Sequence, residues 1–411
     1  MARPLEGIRV VELGNFIAGP FCGMLLGDMG ADVIKIERPG LGDQTRAMPP
    51  MVNGESVSFA ALNRNKRSLV LDLKREEARD IVRQLAAGSD VFVENNRPGA
   101  LDALGLGAEQ IRAINPNIVY VSASGFGQTG PYRRRAGVNL IVEAFSGALS
   151  VTGNPDDMPM RPGLQTADIF GALFATYAAL SGLISVLRHR EGHAVDVSLV
   201  EASIAAAAWE TAGFLATGEI PKRLGNRHRL NAPYQLFATR DHRYIALGTP
   251  NDELFRRFMT VLGLAEYIGD PRFATYVLRK QNETGLLELV SPAIEGRDAG
   301  ELEALLQKAG VPCSQVNDYD EVFADAHIIE RKVAVDVPHP KIGTVRTVRN
   351  PVLFDRDGPG IRYAAPLLGQ HSREILGELG YAAARIDELA AAGIVQLLPG
   401  AMAAAPANQE A

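Results

Sequence analysis

Cysteine is nearly missing from this chain: 411 residues contain two, Cys22 and Cys313. They lie far apart with no paired spacing, which excludes a disulfide framework or a zinc knuckle and fits a reducing cytosol. Cys22, between Phe21 and Met24, reads as a buried, inert thiol. The seven histidines are scattered. His189 and His193 stand four apart, but Arg188, Arg190 and Glu191 mark a solvated helix end, so no metal site is expected. There is no basic excess either. With 42 Lys and Arg against 48 Asp and Glu the net charge is −6, which gives no reason to expect nucleic acid or an anionic membrane as partner. MARPLEGIRVVEL lacks the long apolar core of a signal peptide, and a cytoplasmic protein is expected.

Several catalytic signatures are also missing. No P-loop lysine, G-x-S-x-G elbow or H-E-x-x-H occurs. Gly14, Gly19 and Gly23 follow the first strand at a G-x4-G-x3-G spacing rather than G-x-G-x-x-G, and Arg38 directly follows the acid Glu37. A nicotinamide dinucleotide site is therefore not encoded. The composition, 46% apolar and 22% charged, is that of a soluble globular protein, and the length suggests two or three domains.

Strand and helix alternate through the first hundred residues: strands at Ile8–Leu13, Val33–Glu37, Leu69–Leu73 and Val91–Glu94, helices at Phe21–Met29 and Glu76–Ala87. A helix around Gln110–Ile114 and a strand at Ile118–Ser122 follow. This predicts an α/β fold, a parallel sheet with helices on both faces and ligands at the carboxyl ends of the strands. The loops there are Gly14–Pro20, Arg38–Gly42, Asn95–Gly99 and Ser122–Tyr132. Basic and amide side chains gather near them: Arg38, Asn63 to Arg67, Lys74, and Asn95, Asn96 and Arg97. Such groups suit a phosphorylated ligand, although a solvated surface explains each one taken singly. Gly225–Pro233 reads as a linker. Tyr244–Leu247 then opens a smaller α/β unit with helices near Glu253–Leu262, Glu283–Ile294 and Asp298–Ala309.

Ile169 to Leu187 is a nineteen-residue run without a charge. Its apolar positions Ile169, Leu173, Leu180, Ile184 and Leu187 step as in a helix. A membrane span is rejected because Gly171, Thr176, Tyr177, Ser181, Gly182 and Ser185 dilute it, no second span exists, and Ala194–Val200 alternates like a strand. A buried core helix is expected. Asp168 stands at its cap or first turn, where free N–H groups and the helix dipole would keep a carboxylate ionised and aimed. That makes it a candidate nucleophile; the ordinary alternative is a simple N-cap.

Several strings together resemble one family: GIRVVEL, AGPFCGMLLGDMGADVIKIERPGLGD, NRNKRSLVLDLK, VENNRPGALDALGLG, SASGFGQTGPY, TADIFGALFATYAALSGLISVLRHREGHAVDVSLVEAS, NAPYQLF and VPCSQVND. They resemble the class III CoA-transferases, the group of formyl-CoA transferase and carnitine CoA-transferase, in order and over nearly the whole chain to about residue 380. The resemblance implies that Asp168 matches the family's catalytic aspartate, working through an aspartyl mixed anhydride and an aspartyl-CoA thioester. It implies CoA contacts at Ile17, Ala18, Arg38, Leu71, Asp72, Leu73, Lys74, Asn95, Asn96, Arg97, Gly137, Val138, Asn139 and Leu140. No metal or prosthetic group is implied, coenzyme A entering as acyl-CoA substrate. The implied fold is a Rossmann-like large domain from both chain ends (1–200 and 329–398), a linker helix and connection (201–232), a small α/β domain (233–328) and a disordered tail (399–411). The implied assembly is a homodimer of interlocked ring-shaped subunits.

Departures from the family narrow the reading. The α-methylacyl-CoA racemases, also similar, carry a His–Asp pair where this chain has Val138 and Asn139, neither of which moves a proton from carbon at neutral pH. Asn139 also replaces an Asp common in the transferases. Oxalate-using transferases carry a glutamine at Ile17 and a glycine run at Leu247, Gly248 and Thr249, so oxalate is not expected here. Ala103 stands where a CoA-binding arginine occurs. Arg46, Arg133 to Arg135, Arg161, Arg227 and Arg229 are candidates to hold a second carboxylate, pointing to a short dicarboxylate. The alternatives are a racemase, a non-catalytic acyl-CoA-binding protein and, last, a nicotinamide dehydrogenase.

Overall fold

The computed structural model describes residues 3–355, 358 and 360–400; the expected tail lies outside them from residue 401. The chain forms two compact units. The first comprises Met1–Ala148, Gly163–Ala216 and Ile329–Ala411, the second Leu149–Pro162 and Thr217–Ile328. Segment 149–162, expected in the large domain, thus belongs to the second unit, and 201–216, expected as linker, to the first.

Six parallel strands build the first unit: β1 (Arg9–Leu13), β2 (Asp32–Glu37), β3 (Lys66–Leu71), β4 (Val91–Glu94), β5 (Val119–Ser124) and β6 (Ala194–Ser198). Their spatial order is β3-β2-β1-β4-β5-β6, with Val395–Gln396 added antiparallel beside β3. This is the doubly wound order, whose direction of winding reverses between β1 and β4.

Alternation along the strands assigns the two faces. Val10, Val33, Val91, Val93, Val119 and Val121 pack against α1 (Ala18–Asp28) and α6 (Thr166–His189). Val11, Ile34, Leu69, Leu71 and Phe92 pack against α3 (Glu76–Ala87), α4 (Ala108–Ile114) and the returning helices Ser372–Glu378 and Ala383–Ala391. The C-terminal segment is therefore part of one helical layer. Between β2 and β3 lies α2 (Val57–Asn63), capped by the Ser56 hydroxyl, which accepts from Phe59 N.

α6 corrects the expectation of a buried core helix. Only its small-residue face, Ala167, Gly171, Ala172, Ala175, Ala179 and Gly182, together with Leu183, is buried. Leu173, Phe174, Tyr177, Ile184 and Leu187 are exposed. The helix is long and apolar enough to cross a membrane, but its small face lies on α1 and β5. Small side chains allow that close approach and leave the bulky ones on the far side.

In the second unit, Tyr244–Gly248 is the centre of a three-stranded antiparallel sheet between Tyr234–Ala238 and Cys313–Gln315. Helices Asp252–Leu262, Glu283–Glu295 and Ala299–Lys308 close a core of Phe237, Ile245, Phe255, Phe258, Leu286 and Leu302.

Candidate active site

Asp168 is the third residue of α6, after the N-cap Gln165, which makes no side-chain cap. The first amides of a helix have no partner within it. Here α5 (Asn139–Phe145) supplies them. Asn139 Oδ1 accepts from Ala167 N at 3.0 Å and Asp168 N at 3.2 Å. Glu143 Oε1 accepts from Thr166 N at 3.2 Å and from the Thr166 hydroxyl at 2.6 Å. The helix makes its own first bond from Ile169 N to Gln165 O. Asp168 is thus not needed as a cap. Sequence reasoning missed Glu143; its signal was the i, i+4 spacing from Asn139 on one helix face.

The electrostatics also differ from expectation. Burial, seconded by the negative charge of Glu143, pushes the Asp168 carboxyl up from 3.8 to about 6. The amides expected to hold it ionised are engaged by Asn139 and Glu143, so desolvation prevails. At pH 7 about nine-tenths of the carboxyl is still ionised, and it is more basic than a surface carboxylate. Two buried atoms beside it have no hydrogen-bond partner among the described residues, Asn139 Nδ2 and Glu143 Oε2. Such an atom costs about 1–3 kcal/mol in a folded protein, and its persistence calls for an explanation.

The expected CoA contacts lie along the carboxyl edge of the sheet. Glu37 pairs with Val70 and Leu13 with Glu94, so Leu71, Arg38, Gly14 and Asn95 follow one another across the strand ends. At the winding reversal, Asn95 Oδ1 accepts from Asn15 N and Asn95 Nδ2 donates to Asn15 O, both at 2.8 Å. Asn96 Nδ2 donates to Leu13 O at 2.9 Å. These two carboxamides brace the β1 and β4 loops. A Cβ on Gly19 would stand 3.0 Å from Asn95 Oδ1, and one on Gly23 would stand 2.0 Å from Glu12 Oε2. Both glycines of the loosely spaced triplet therefore serve packing. Ile17 precedes α1, and Ala18, its first residue, is buried. Arg38, Lys74 and Arg97 are exposed, Leu71 is buried, and Asp72 accepts from Lys74 N at 3.2 Å. Gly137, Val138 and Leu140 flank Asn139 beside Asp168 and form a second group.

The Asn63–Arg67 run does not serve a phosphate. All five residues are buried. Arg64 forms a two-pronged pair with Asp28, at 2.9 and 2.7 Å. Lys66 Nζ meets Glu12 Oε2 at 2.8 Å, Pro20 O at 2.7 Å and Asn63 Oδ1 at 2.8 Å. Lys35 Nζ meets Glu12 Oε1 at 2.7 Å, Asp43 Oδ2 at 2.9 Å and Gly14 O at 2.8 Å. Arg67 holds Asp32, Glu374 and Glu378. The strand starts three residues earlier than expected because these cations are neutralised from below. Lys35 and Lys66 hold the two ends of the Gly14–Pro20 loop through Gly14 O and Pro20 O.

Residues 5–372 match CoA-transferase family III. The chain belongs to CoA-transferase family III. It is 38% identical over 405 residues to succinyl-CoA:glutarate CoA-transferase of Mus musculus, spanning 96% of this chain and 91% of that one. It is 36% identical over 378 residues to succinyl-CoA–D-citramalate CoA-transferase of Chloroflexus aurantiacus, spanning 92% and 94%. A solved CAIB/BAIF family protein from Brucella suis, 38% identical, matches the fold with a TM-score of 0.82 over 92% of this chain and 100% of that one.

The arginines of this family III CoA-transferase that were candidates for a second carboxylate are not equivalent. Arg46 is occupied by Glu37 through two contacts of 2.7 Å and is withdrawn as a candidate. Arg135 lies over the rings of Phe126, Tyr132 and Phe145, 5.1 to 5.5 Å from their centres. Arg227 borders a cavity of about 640 Å³ in the second unit, together with His228, Tyr234, Leu247, Gly248 and Cys313.

Proposed function

We propose that this CoA-transferase moves CoA from a succinyl-CoA-type thioester to a free short dicarboxylic acid, with Asp168 as the nucleophile. The observation that carries the reading is a carboxylate at the mouth of a helix whose first amides are already capped by Asn139 and Glu143. Two relatives spanning nine-tenths of the chain, both named for a succinyl-CoA donor and a dicarboxylic acceptor, support the substrate class.

The Asp168 carboxylate attacks the thioester carbonyl and CoA leaves as its thiolate, forming a mixed anhydride. The thiolate attacks the Asp168 carbonyl of that anhydride, releasing the first acid and leaving an aspartyl-CoA thioester. The acceptor carboxylate then attacks this thioester and frees the thiolate again. In the last step the thiolate attacks the acceptor's carbonyl, giving the new CoA ester and free Asp168. Two carbonyl–sulfur bonds are broken and two are formed over the cycle, and no proton need be moved, so no acid–base pair is required. A carboxyl with a pKa of about 6 remains ionised at neutral pH and is strengthened as a nucleophile.

CoA would lie along the carboxyl edge, using Ile17 and Ala18 at the start of α1, the exposed Arg38 and Lys74, the Leu71–Leu73 turn, and Asn95, Asn96 and Arg97 chiefly through backbone. Gly137 to Leu140 would line the thioester end. We propose a homodimer in the interlocked form that the family resemblance implies. The large exposed side chains of α6, with Trp209 and Leu215 of the helix Ala208–Thr217, support association, since monomers seldom expose so much apolar surface. Light scattering tests it, a dimeric mass being expected.

The test of function is incubation with succinyl-CoA and carbon-labelled glutarate. Label entering glutaryl-CoA with wild type and not with Asp168→Asn is expected. No transfer by wild type, over a panel of short dicarboxylic acids, contradicts the reading.

A further inference from the structure

Asn139 has one half of its carboxamide without a partner. Its Oδ1 accepts two backbone N–H groups of α6, from Ala167 and Asp168. Because both are donors, the orientation of the group is determined: the oxygen faces the helix and Nδ2 occupies the other position. Nδ2 is buried and has no acceptor among the described residues, and the residue as a whole is 7% exposed. Nδ2 belongs to the same rigid plane as the oxygen that holds the Asp168 amide.

Every step of the transferase cycle passes through a tetrahedral carbon bonded to Asp168 or its acyl partner, with negative charge on the former carbonyl oxygen. That charge requires a donor already in place. A helix mouth commonly offers its own amides, but here the N–H groups of Thr166, Ala167 and Asp168 are all engaged by α5. Thr166 has also given its hydroxyl to Glu143. Asn139 Nδ2 is the donor this wall retains.

We propose that Asn139 is a catalytic residue that donates from Nδ2 to the developing oxyanion at the Asp168 centre while its Oδ1 holds the start of α6. This rests on Asp168 acting as the nucleophile. It also explains a carboxamide at this position. In this chain Glu143, 0% exposed and with Oε2 unpartnered among the described residues, already places one negative charge beside Asp168, so the Asp that other transferases commonly carry at this position would add a second here.

The decisive variant is Asn139→Asp, which is nearly isosteric, keeps an oxygen for both helix amides and removes the donor. Steady-state kinetics at pH 7 and pH 9 and a thermal melt are measured beside wild type. The expected result is a kcat lower by about 10²–10³, a KM for acyl-CoA within about threefold of wild type and a melting temperature close to wild type. The defect persists at pH 9, where Asp168 is ionised in both proteins. Recovery at pH 9 would reduce the effect to added charge and overturn the proposal, as would a kcat near wild type at either pH. If Asn139→Asp does not fold, Asn139→Ser replaces it: its hydroxyl stands about where the Asn139 Cγ stands, short of both the α6 amides and the oxyanion, so the same loss of kcat is expected together with a lowered melting temperature, and a kcat near wild type overturns the proposal. A wild type that transfers no CoA refutes the nucleophile reading itself, whereas an active wild type with an equally active Asn139 variant refutes only this one.

Discussion

Asn15 and Asn95 are joined by a reciprocal pair of hydrogen bonds, Asn15 N to Asn95 Oδ1 and Asn95 Nδ2 to Asn15 O, each 2.8 Å. The pair bridges the β1 and β4 loops where the winding of the sheet reverses, the place where open α/β sheets bind their ligands. Replacing Asn95 by Ala removes both bonds and frees the Gly14–Pro20 turn. We expect a KM for acyl-CoA raised roughly tenfold and a stability loss of about 1–2 kcal/mol, read by steady-state kinetics and urea unfolding. An unchanged KM would detach this loop from CoA binding.

The Asp168 carboxyl couples activity to stability. Its pKa rises from 3.8 to about 6 on folding, so the folded state holds this proton more tightly than the unfolded chain. Its favourable contribution is present at low pH and is lost as pH rises through 6, leaving an ionised group that destabilises the neutral protein. Asp168→Asn is therefore expected to abolish turnover while raising stability at pH 7 by about 1–2 kcal/mol, the gain fading towards pH 4. Thermal melts across that range check it.

Glu143 adds to the rise through its charge. The acid limb of kcat/KM is expected near pH 6 in wild type. Glu143→Gln keeps an oxygen for Thr166 and removes the charge, so the limb moves to lower pH. A limb that does not move would show that burial alone sets the carboxyl.

Lys66 and Lys74 separate scaffold from ligand contact. Lys66 is fully buried against Glu12, so Lys66→Met leaves that carboxylate short of a partner and is expected to cost about 3–5 kcal/mol. Lys74 is exposed. Lys74→Ala is expected to leave stability within about 0.5 kcal/mol and to raise the KM for acyl-CoA in a salt-dependent way.

These contrasts show what the chain discloses before folding. The parallel sheet was legible because Val10, Val33 and Val91 alternate with residues of opposite facing, and Asp168 because it opens an uncharged helical run. The Asn63–Arg67 run was misread because nothing local distinguishes a solvated cation from one neutralised by Glu12 or Asp28, dozens of residues away in sequence. Asn95 looked like a ligand reader for the same reason; its partner, Asn15, lies across the sheet. The exposed large face of α6 was hidden because apolar periodicity reports which residues share a face and not what covers that face.

In the proposed cycle Asp168 forms an anhydride with the acceptor acid. In that cycle the acceptor's attacking oxygen remains on Asp168 when CoA takes the acyl group. Turnover of succinyl-CoA with oxygen-18-labelled glutarate, followed by mass spectrometry of the peptide containing Asp168, reads this directly. Oxygen-18 is expected in the Asp168 carboxyl after turnover, and none when succinyl-CoA is omitted. Formation of glutaryl-CoA with an unlabelled Asp168 would contradict it.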